Sequence, residues 1–356
     1  MNVPKLRFKE FNDEYVKLKY KDVLKIKSGK DQKQVENKNG KYPILGTGGQ
    51  IGKTNSFLYD KPSVLIGRKG TINKPQYMES PFWTVDTLFY SHIYEPNIPK
   101  YLFYSFQNVN WKKYDESTGV PSLSSSTIEN VECNIPSPNE QIKVANFLSL
   151  LDKKIELQTK KIEDLKLFKK GLIHNEKRNN NFWNEYKISD IMNITRGTVI
   201  PKMEISEFLN NEFRYPVYSS QTSNNGILGY DNKYDFNGKF LTWTTDGANA
   251  GKVFYREGKF RCTNVCGILY NKDNRYVSEL TAELLNIETP KYVSYVGNPK
   301  LMNNVMSNII IKLPDPSRDH FFSSILKIIN KKLTIEEEKL DKLFELKKGF
   351  MQNMFV

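Results

Sequence analysis

One long helical pattern occurs twice in this chain, and that duplication narrows the folds open to it. The stretch DKKIELQTKKIEDLKLFKKGLIH (152–174) lies without gaps on NKKLTIEEEKLDKLFELKKGFMQ (330–352), a shift of 178 positions. Lys153-Lys154 falls on Lys331-Lys332, Leu165 on Leu343, and Lys169-Lys170-Gly171 on Lys347-Lys348-Gly349. The same shift sets GVPSL (119–123) on GNPKL (297–301), Pro136 on Pro314 and Pro138 on Pro316. Further back the shift shrinks. Gly70 meets Gly247, YPIL (42–45) meets YPVY (215–218), and YKDVLKIKSG (20–29) meets ISDIMNITRG (188–197). Such self-similarity marks one structural unit written twice. The ends of the two copies agree, while their middles differ in length and content.

Each copy reads as a globular part followed by a helix. Short β-rich runs such as SVLIG (63–67), DTLFYSHI (86–93), KFLTW (239–243) and VCGILY (265–270) are broken by Gly, Asn and Pro. Short helices are expected near 99–110 and 277–286. Ser137-Pro138-Asn139-Glu140 predicts a capping serine, a proline in the first turn and a glutamate that completes a capping box. Asp315-Pro316 repeats the cap and proline scheme. Each helix should then run about 35 to 40 residues, roughly 50–60 Å. Apolar residues recur in heptads: Leu148, Leu151, Ile155, Ile162, Leu165 and Leu172 in the first, and Leu326, Ile329, Leu333, Leu340, Leu343 and Phe350 in the second. Gln158 with Glu336, and Lys169 with Lys347, interrupt both seams at matching places, as register-fixing polar residues do. Helices of this length outrun their globular parts and should pair with each other. The expected class is mixed α+β: two similar globular α/β recognition domains joined by two long helices in an antiparallel coiled coil, with a pseudo-two-fold internal repeat. The divisions fall at 1–136, 137–177, 178–314 and 315–356.

The formal net charge is +13 over 356 residues, which favours a polyanionic partner such as nucleic acid. The chain is rich in Lys, Asn and Ile throughout, so part of that charge can reflect a general compositional bias. No run of eighteen apolar residues and no signal-peptide core is present, so a cytoplasmic protein without a membrane role is expected. Cys133, Cys262 and Cys266 form no C-x-x-C pair and read as free thiols. Two equivalent modules on a spacer with a dyad would match the dyad of B-DNA and could enter its groove one helical turn or more apart.

The sequence resembles the specificity subunit of type I restriction-modification systems. The resemblance is carried by PKLRFKEF (4–11), by STGVPSLSSSTIENVECNIPSPNEQIKVANFLSLLDKKI (117–155), and by the weaker echo of that stretch from Gly297 to Leu333. In the second copy Arg318 and Asp319 replace Glu140 and Gln141. The resemblance implies two target recognition domains, each binding one half of a split site in double-stranded DNA. It implies that two modification (methyltransferase) subunits and restriction (motor-nuclease) subunits assemble on this chain. It also implies that the helices set the gap and help hold the modification subunits. The chain itself would be non-catalytic and bind no cofactor. S-adenosylmethionine would belong to the modification subunits, and ATP with Mg to the restriction subunits.

Base reading in the major groove needs forked donors and acceptors, and phosphate positioning needs cations, hydroxyls and backbone amides. In the first domain the candidates are Lys53, Arg68, Lys69, Thr71, Lys74 and Ser124. In the second they are Gln221, Asn224, Asn225, Thr244, Thr245, Asn249, Lys252, Arg256 and Arg261. GTGGQIGKT (46–54) imitates a phosphate-binding loop, but the opening glycine should stand at Thr47, and no helix is expected to follow. It reads instead as a glycine-rich loop able to approach a phosphate or base edge. Two other classes compete. One is a DNA-modifying enzyme with a divergent site, for which Asp315 with Glu337, Glu338 and Lys339 offers a nuclease-like pattern, although no Asn/Asp-Pro-Pro-aromatic methyltransferase loop is found. The other is a coiled-coil adaptor that binds only proteins. No metal-binding cluster is expected, and His92, His174 and His320 lie in separate segments.

Overall fold

The computed structural model describes residues 2–79, 81–178, 183–271 and 275–356. The chain forms two compact units, one running to Lys160 and taking in Glu338–Val356, the other spanning Lys161–Glu337. The division therefore falls inside the two long helices, α4 (Pro138–Arg178) and α8 (Pro316–Met354).

In the first unit, strand β1 (Val16–Lys19) pairs antiparallel with β9 (Glu132–Ile135), so the globular part is closed by its own first and last strands. Between them, helix α1 (Tyr20–Val23) leads into β2 (Leu24–Lys27), and β3 (Tyr42–Gly46) into β4 (Gly49–Thr54). Next come β5 (Ser63–Gly67), β6 (Gln76–Met78), β7 (Trp83–Thr84) and β8 (Leu88–Ile93). They form a sheet of order β2-β8-β5-β6 and a smaller one of order β4-β3-β7. Helices α2 (Pro99–Asn108) and α3 (Ser125–Asn130) cover the larger sheet. Its core holds Tyr20, Tyr101, Phe106 and Trp111, all fully buried, together with Val144 and Leu148 of α4, Met351 of α8 and Phe355 just beyond it.

The second unit repeats this plan. Strand β10 (Trp183–Lys187) pairs antiparallel with β17 (Ile310–Pro314). Helix α5 (Ile188–Ile191), β11 (Asn193–Arg196), β12 (Tyr215–Tyr218), β13 (Ile227–Asp231), β14 (Phe236–Thr244), β15 (Val253–Cys262) and β16 (Cys266–Tyr270) follow in the equivalent order. Helices α6 (Glu279–Glu288) and α7 (Asn303–Ser307) complete it. Here one sheet of order β11-β16-β14-β15-β12-β13 replaces two. The reason is β15, a ten-residue strand that pairs antiparallel with β14 along most of its length and parallel with β12 at its end. In the first unit the equivalent strand is broken into β6, which pairs with β5, and β7, which pairs with β3.

Both units contain antiparallel stretches of α4 and α8. In the first, Phe147 meets Phe350 edge-on at 4.8 Å and Asp152 binds Lys347 at 2.5 Å. In the second, Lys161 binds Glu336 at 3.0 Å, Lys169 reaches Asn330 at 3.0 Å and Glu176 meets Arg318 at 3.5 Å. Every predicted seam residue is buried or half-buried. Leu148, Leu151, Ile162, Leu326, Ile329 and Leu333 are the buried ones. Ile173, one position beyond the predicted Leu172, is buried in the second core.

The start of α4 differs from expectation. Glu140 does not complete a capping box. It is 1% exposed, accepts two 2.8 Å bonds from the Arg7 guanidinium and one at 3.0 Å from the Tyr15 hydroxyl. Asp315 does cap α8, accepting from Ser317 N at 3.0 Å and Ser317 Oγ at 2.7 Å.

Candidate nucleic-acid interface

The repeated Gly-x-Pro-x-Leu landmarks build one local device in each unit. Gly70 N donates to Pro121 O at 2.8 Å and Leu123 N to Arg68 O at 2.9 Å. Gly247 N donates to Pro299 O at 2.9 Å and Leu301 N to Thr245 O at 2.9 Å. Gly70 (φ 93°) and Gly247 (φ 95°) both occupy the left-handed region that a glycine reaches without strain. Each device joins the loop after the central strand (β5 or β14) to the loop before the last helix of the globular part (α3 or α7). In the first unit it holds Arg68 and Lys69 in solvent with Lys74 close by in sequence, and none of the three makes a side-chain hydrogen bond or ion pair with the described residues.

The hairpin β3–β4 contains GTGGQIGKT, so this stretch is strand, turn and strand rather than a loop. Pro43 faces Lys53 and Ile44 faces Gly52 across it. The second unit shows Pro216 facing Tyr230 and Val217 facing Gly229, with the register shift in the same place. Thr54, the supposed hydroxyl of a phosphate loop, is fully buried and accepts from Ser56 N at 3.0 Å. Lys53 stays exposed on the strand.

Four predicted contact residues are turned inward. Thr244 is 1% exposed, its hydroxyl donating to Asn249 O, and Thr245 is fully buried, donating to Asp246 Oδ2 at 2.6 Å. Arg256 is 3% exposed, 3.7 Å from the Tyr218 ring centre and 4.4 Å from that of Phe254, and burial lowers its pKa. Arg261 is held by Asp231 at 2.7 Å, Asp235 at 3.1 Å and Glu204 at 3.6 Å. Three carboxylates so placed tether the side chain and hold it away from a base. Ser124 is likewise the cap of α3, accepting from Thr127 N at 3.1 Å, with Glu116 accepting its proton at 3.0 Å.

The candidates that keep solvent access are Lys53, Arg68, Lys69, Thr71 and Lys74 in the first unit, and Gln221, Asn224, Asn225, Asn249 and Lys252 in the second. Thr71 and Gln221 are half-buried. Asn224 and Asn225 lie in a tight turn at φ 48° and 50°, a conformation asparagine tolerates better than most residues. Lys252 keeps an exposed side chain although crowding lowers its pKa, with Glu283 opposing that shift and Lys169 and Lys166 adding to it. Exposure decides whether it can reach a phosphate. Sequence reasoning missed Tyr295 and Val296, 68% and 92% exposed in the loop beside Gly297. Their place next to the second Gly-x-Pro landmark was the available signal.

The nuclease-like pattern is not a site. Asp315 caps the start of α8, and Glu337, bound to Lys166 at 2.7 Å, lies about 33 Å further along the same helix. Among the described residues no cluster of three or more His, Cys, Asp or Glu could hold a metal, and no helix is long and apolar enough to cross a membrane. Cys133, Cys262 and Cys266 are buried free thiols.

A duplicated α+β module that ends in a long helix, with an exposed polar rim on each copy, defines a class of two-headed recognition protein. The chain belongs to the type I restriction modification DNA specificity domain family, whose pattern it matches twice, over residues 12–167 and 180–345. It is 47% identical over 125 residues to the N-terminus of a candidate type I specificity subunit of Mycoplasma pneumoniae, covering 35% of this chain and 65% of that one. A second candidate subunit from the same organism is 33% identical over 210 residues, covering 57% of this chain and 76% of the relative. The specificity subunit of the type I restriction enzyme MpnII, also from M. pneumoniae, is 42% identical over 130 residues, 36% of this chain and 38% of its own. The matched stretches thus span less than two thirds of the first and third of these relatives. The crystal structure of a type I restriction-modification S subunit from M. genitalium shares the fold, with a TM-score of 0.78 over 99% of both chains at 17% identity.

Proposed function

We propose that this chain is the DNA-recognition subunit of a type I restriction-modification complex, each unit reading one half of a bipartite target. The observation that carries this reading is the double match to the DNA specificity domain, one match for each copy. The two copies share strand order and landmark hydrogen bonds but present different side chains at equivalent places. Arg68 and Lys69 in one correspond to Thr245 and Asp246 in the other. Shared frames with unlike rims suit two short sequences that differ.

On this reading the paired helices set the number of unread base pairs and help hold two modification subunits, with restriction subunits completing the complex. The chain contributes positioning and discrimination and no bond-making group. S-adenosylmethionine belongs to the modification subunits, and ATP with magnesium to the restriction subunits. The work is done in the cytoplasm, where the DNA is. A correct bidentate base contact contributes ~1–3 kcal/mol of discrimination, and a phosphate contact strengthens binding to all sequences alike.

The test is methylation-aware sequencing of the host genome with and without this gene. A split adenine-methylated motif that vanishes on deletion is the expected result. Methyl transfer by the purified chain alone would contradict the reading.

A further inference from the structure

We propose that a groove in the first unit binds the phosphodiester backbone of DNA through the Lys-Lys-Gly end of α8. The proposal rests on the DNA-recognition reading above and joins to Lys74, already a candidate contact, a second one from the end of α8 that the recognition loops do not supply. The groove has a volume of about 460 Å³ and is lined by Lys74, Lys347 and Lys348 and by the carboxamides of Asn73, Gln107, Asn108 and Gln352, with no carboxylate in its wall. Lys347 is already paired with Asp152 at 2.5 Å. Lys74, Lys348 and the four carboxamides make no side-chain hydrogen bond or ion pair with the described residues.

The second unit shows what neutralises the same motif. There Lys169, the counterpart of Lys347, binds Glu283 of α6 at 2.8 Å and Asn330 at 3.0 Å. Glu283 is the fifth residue of α6, and the fifth residue of α2 is Phe103. The duplication kept the lysines in both units and the answering carboxylate of the short helix in only one. In the first unit Asp152 answers Lys347 instead, so Lys74 and Lys348 are left as the groove's cations without an ion pair among the described residues, and a polyanion relieves their repulsion. Duplex DNA carries one charge per ~1.7 Å of axis, close enough together to engage Lys74 and Lys348 at once. The carboxamides supply donors for phosphate oxygens and both donors and acceptors for sugar and base edges.

The experiment compares the full-length chain with its Lys74→Gln/Lys348→Gln double variant on unrelated duplexes, by fluorescence anisotropy between about 50 and 200 mM salt. The slope of log K against log salt should become shallower by ~0.9 for each lysine removed, equally on every duplex. A Lys153→Gln/Lys160→Gln control, off the groove, should keep the parent slope. An unchanged slope in the groove variant, or an equal change in the control, overturns the proposal. So does a variant that loses only binding of inorganic pyrophosphate, which would make the ligand a small phosphorylated molecule. Loss of modification-subunit assembly with DNA binding intact would make it a protein contact, and this also overturns it. Failure of the parent chain to bind duplex at all would instead count against the DNA-recognition reading.

Discussion

Gly29 and Gly197 occupy the same place in the two copies, and the reason is contact. A Cβ on Gly29 would lie 2.0 Å from Val85 O, and one on Gly197 would lie 2.3 Å from both Cys262 O and Thr263 O. Each lies just past its unit's second strand, against the backbone at the end of β7 or of β15. Gly119, by contrast, would place a Cβ in open space. Gly197→Ala should therefore destabilise the protein by more than about 2 kcal/mol, and Gly119→Ala by less than about 0.5 kcal/mol. Equal melting midpoints for the two variants would contradict this. The matched glycines were legible in the sequence because a backbone approach tolerates one residue only. The inward turn of Thr244, Thr245, Arg256 and Arg261 was not. Residue type suggested DNA, but strand pairing decides which face a side chain takes, and a guanidinium between two aromatic rings is satisfied by them. Nothing local to Arg256 announces Tyr218, which lies on another strand.

Between elements, the replacement of Gln141 by Asp319 in the second copy finds its explanation. Gln141 of α4 accepts from Ile98 N, the cap position of α2, at 2.8 Å, and donates to Pro136 O at 3.0 Å. Asp319 of α8 accepts at 2.8 Å from the hydroxyl of Ser278, the cap of α6. Different chemistry ties the long helix to the same end of the short helix in both units. The carboxylate variant has a pH signature. Burial pushes the Asp319 pKa up to about 6, while the Ser278 bond and His320 pull it down. The unfolded value is ~3.9, so the folded state holds this proton more tightly. Protonation therefore adds stability as pH falls from about 6 towards 4, and above about 6 the buried charge is a cost. Asp319→Asn keeps an acceptor for Ser278 and removes the charge. It should raise the stability of the protein at pH 7 by about 2 kcal/mol or less, with the gain shrinking as pH drops to about 4. Thermal melts of both proteins across that range check it, and a gain that does not vary with pH would contradict it. Helix lengths, seams and most strands were readable because periodicity is local. The hairpin in GTGGQIGKT was missed because glycines there look like a loop until Tyr42–Gly46 supplies a partner strand. The role of Glu140 was missed because its partner Arg7 stands far away in sequence.

At the scale of the whole chain, duplication is the organising fact. Each globular part is closed by its own first and last strands, β1 with β9 and β10 with β17, so it can diverge inside without disturbing the helices that follow. That separation suits the proposed pair of independent readers. The mixed class and the antiparallel helices were legible because the repeat is long and its landmarks are rigid. The merging of two sheets into one was not, since it depends on whether one strand is broken between β6 and β7 or continuous as β15. The most direct test of independent half-site reading exchanges residues 1–136 for the matching segment of a relative and maps methylated adenines in cells carrying the hybrid. A new base sequence in one half of the split motif, with the other half and the gap unchanged, is the predicted result. A change in both halves would contradict it.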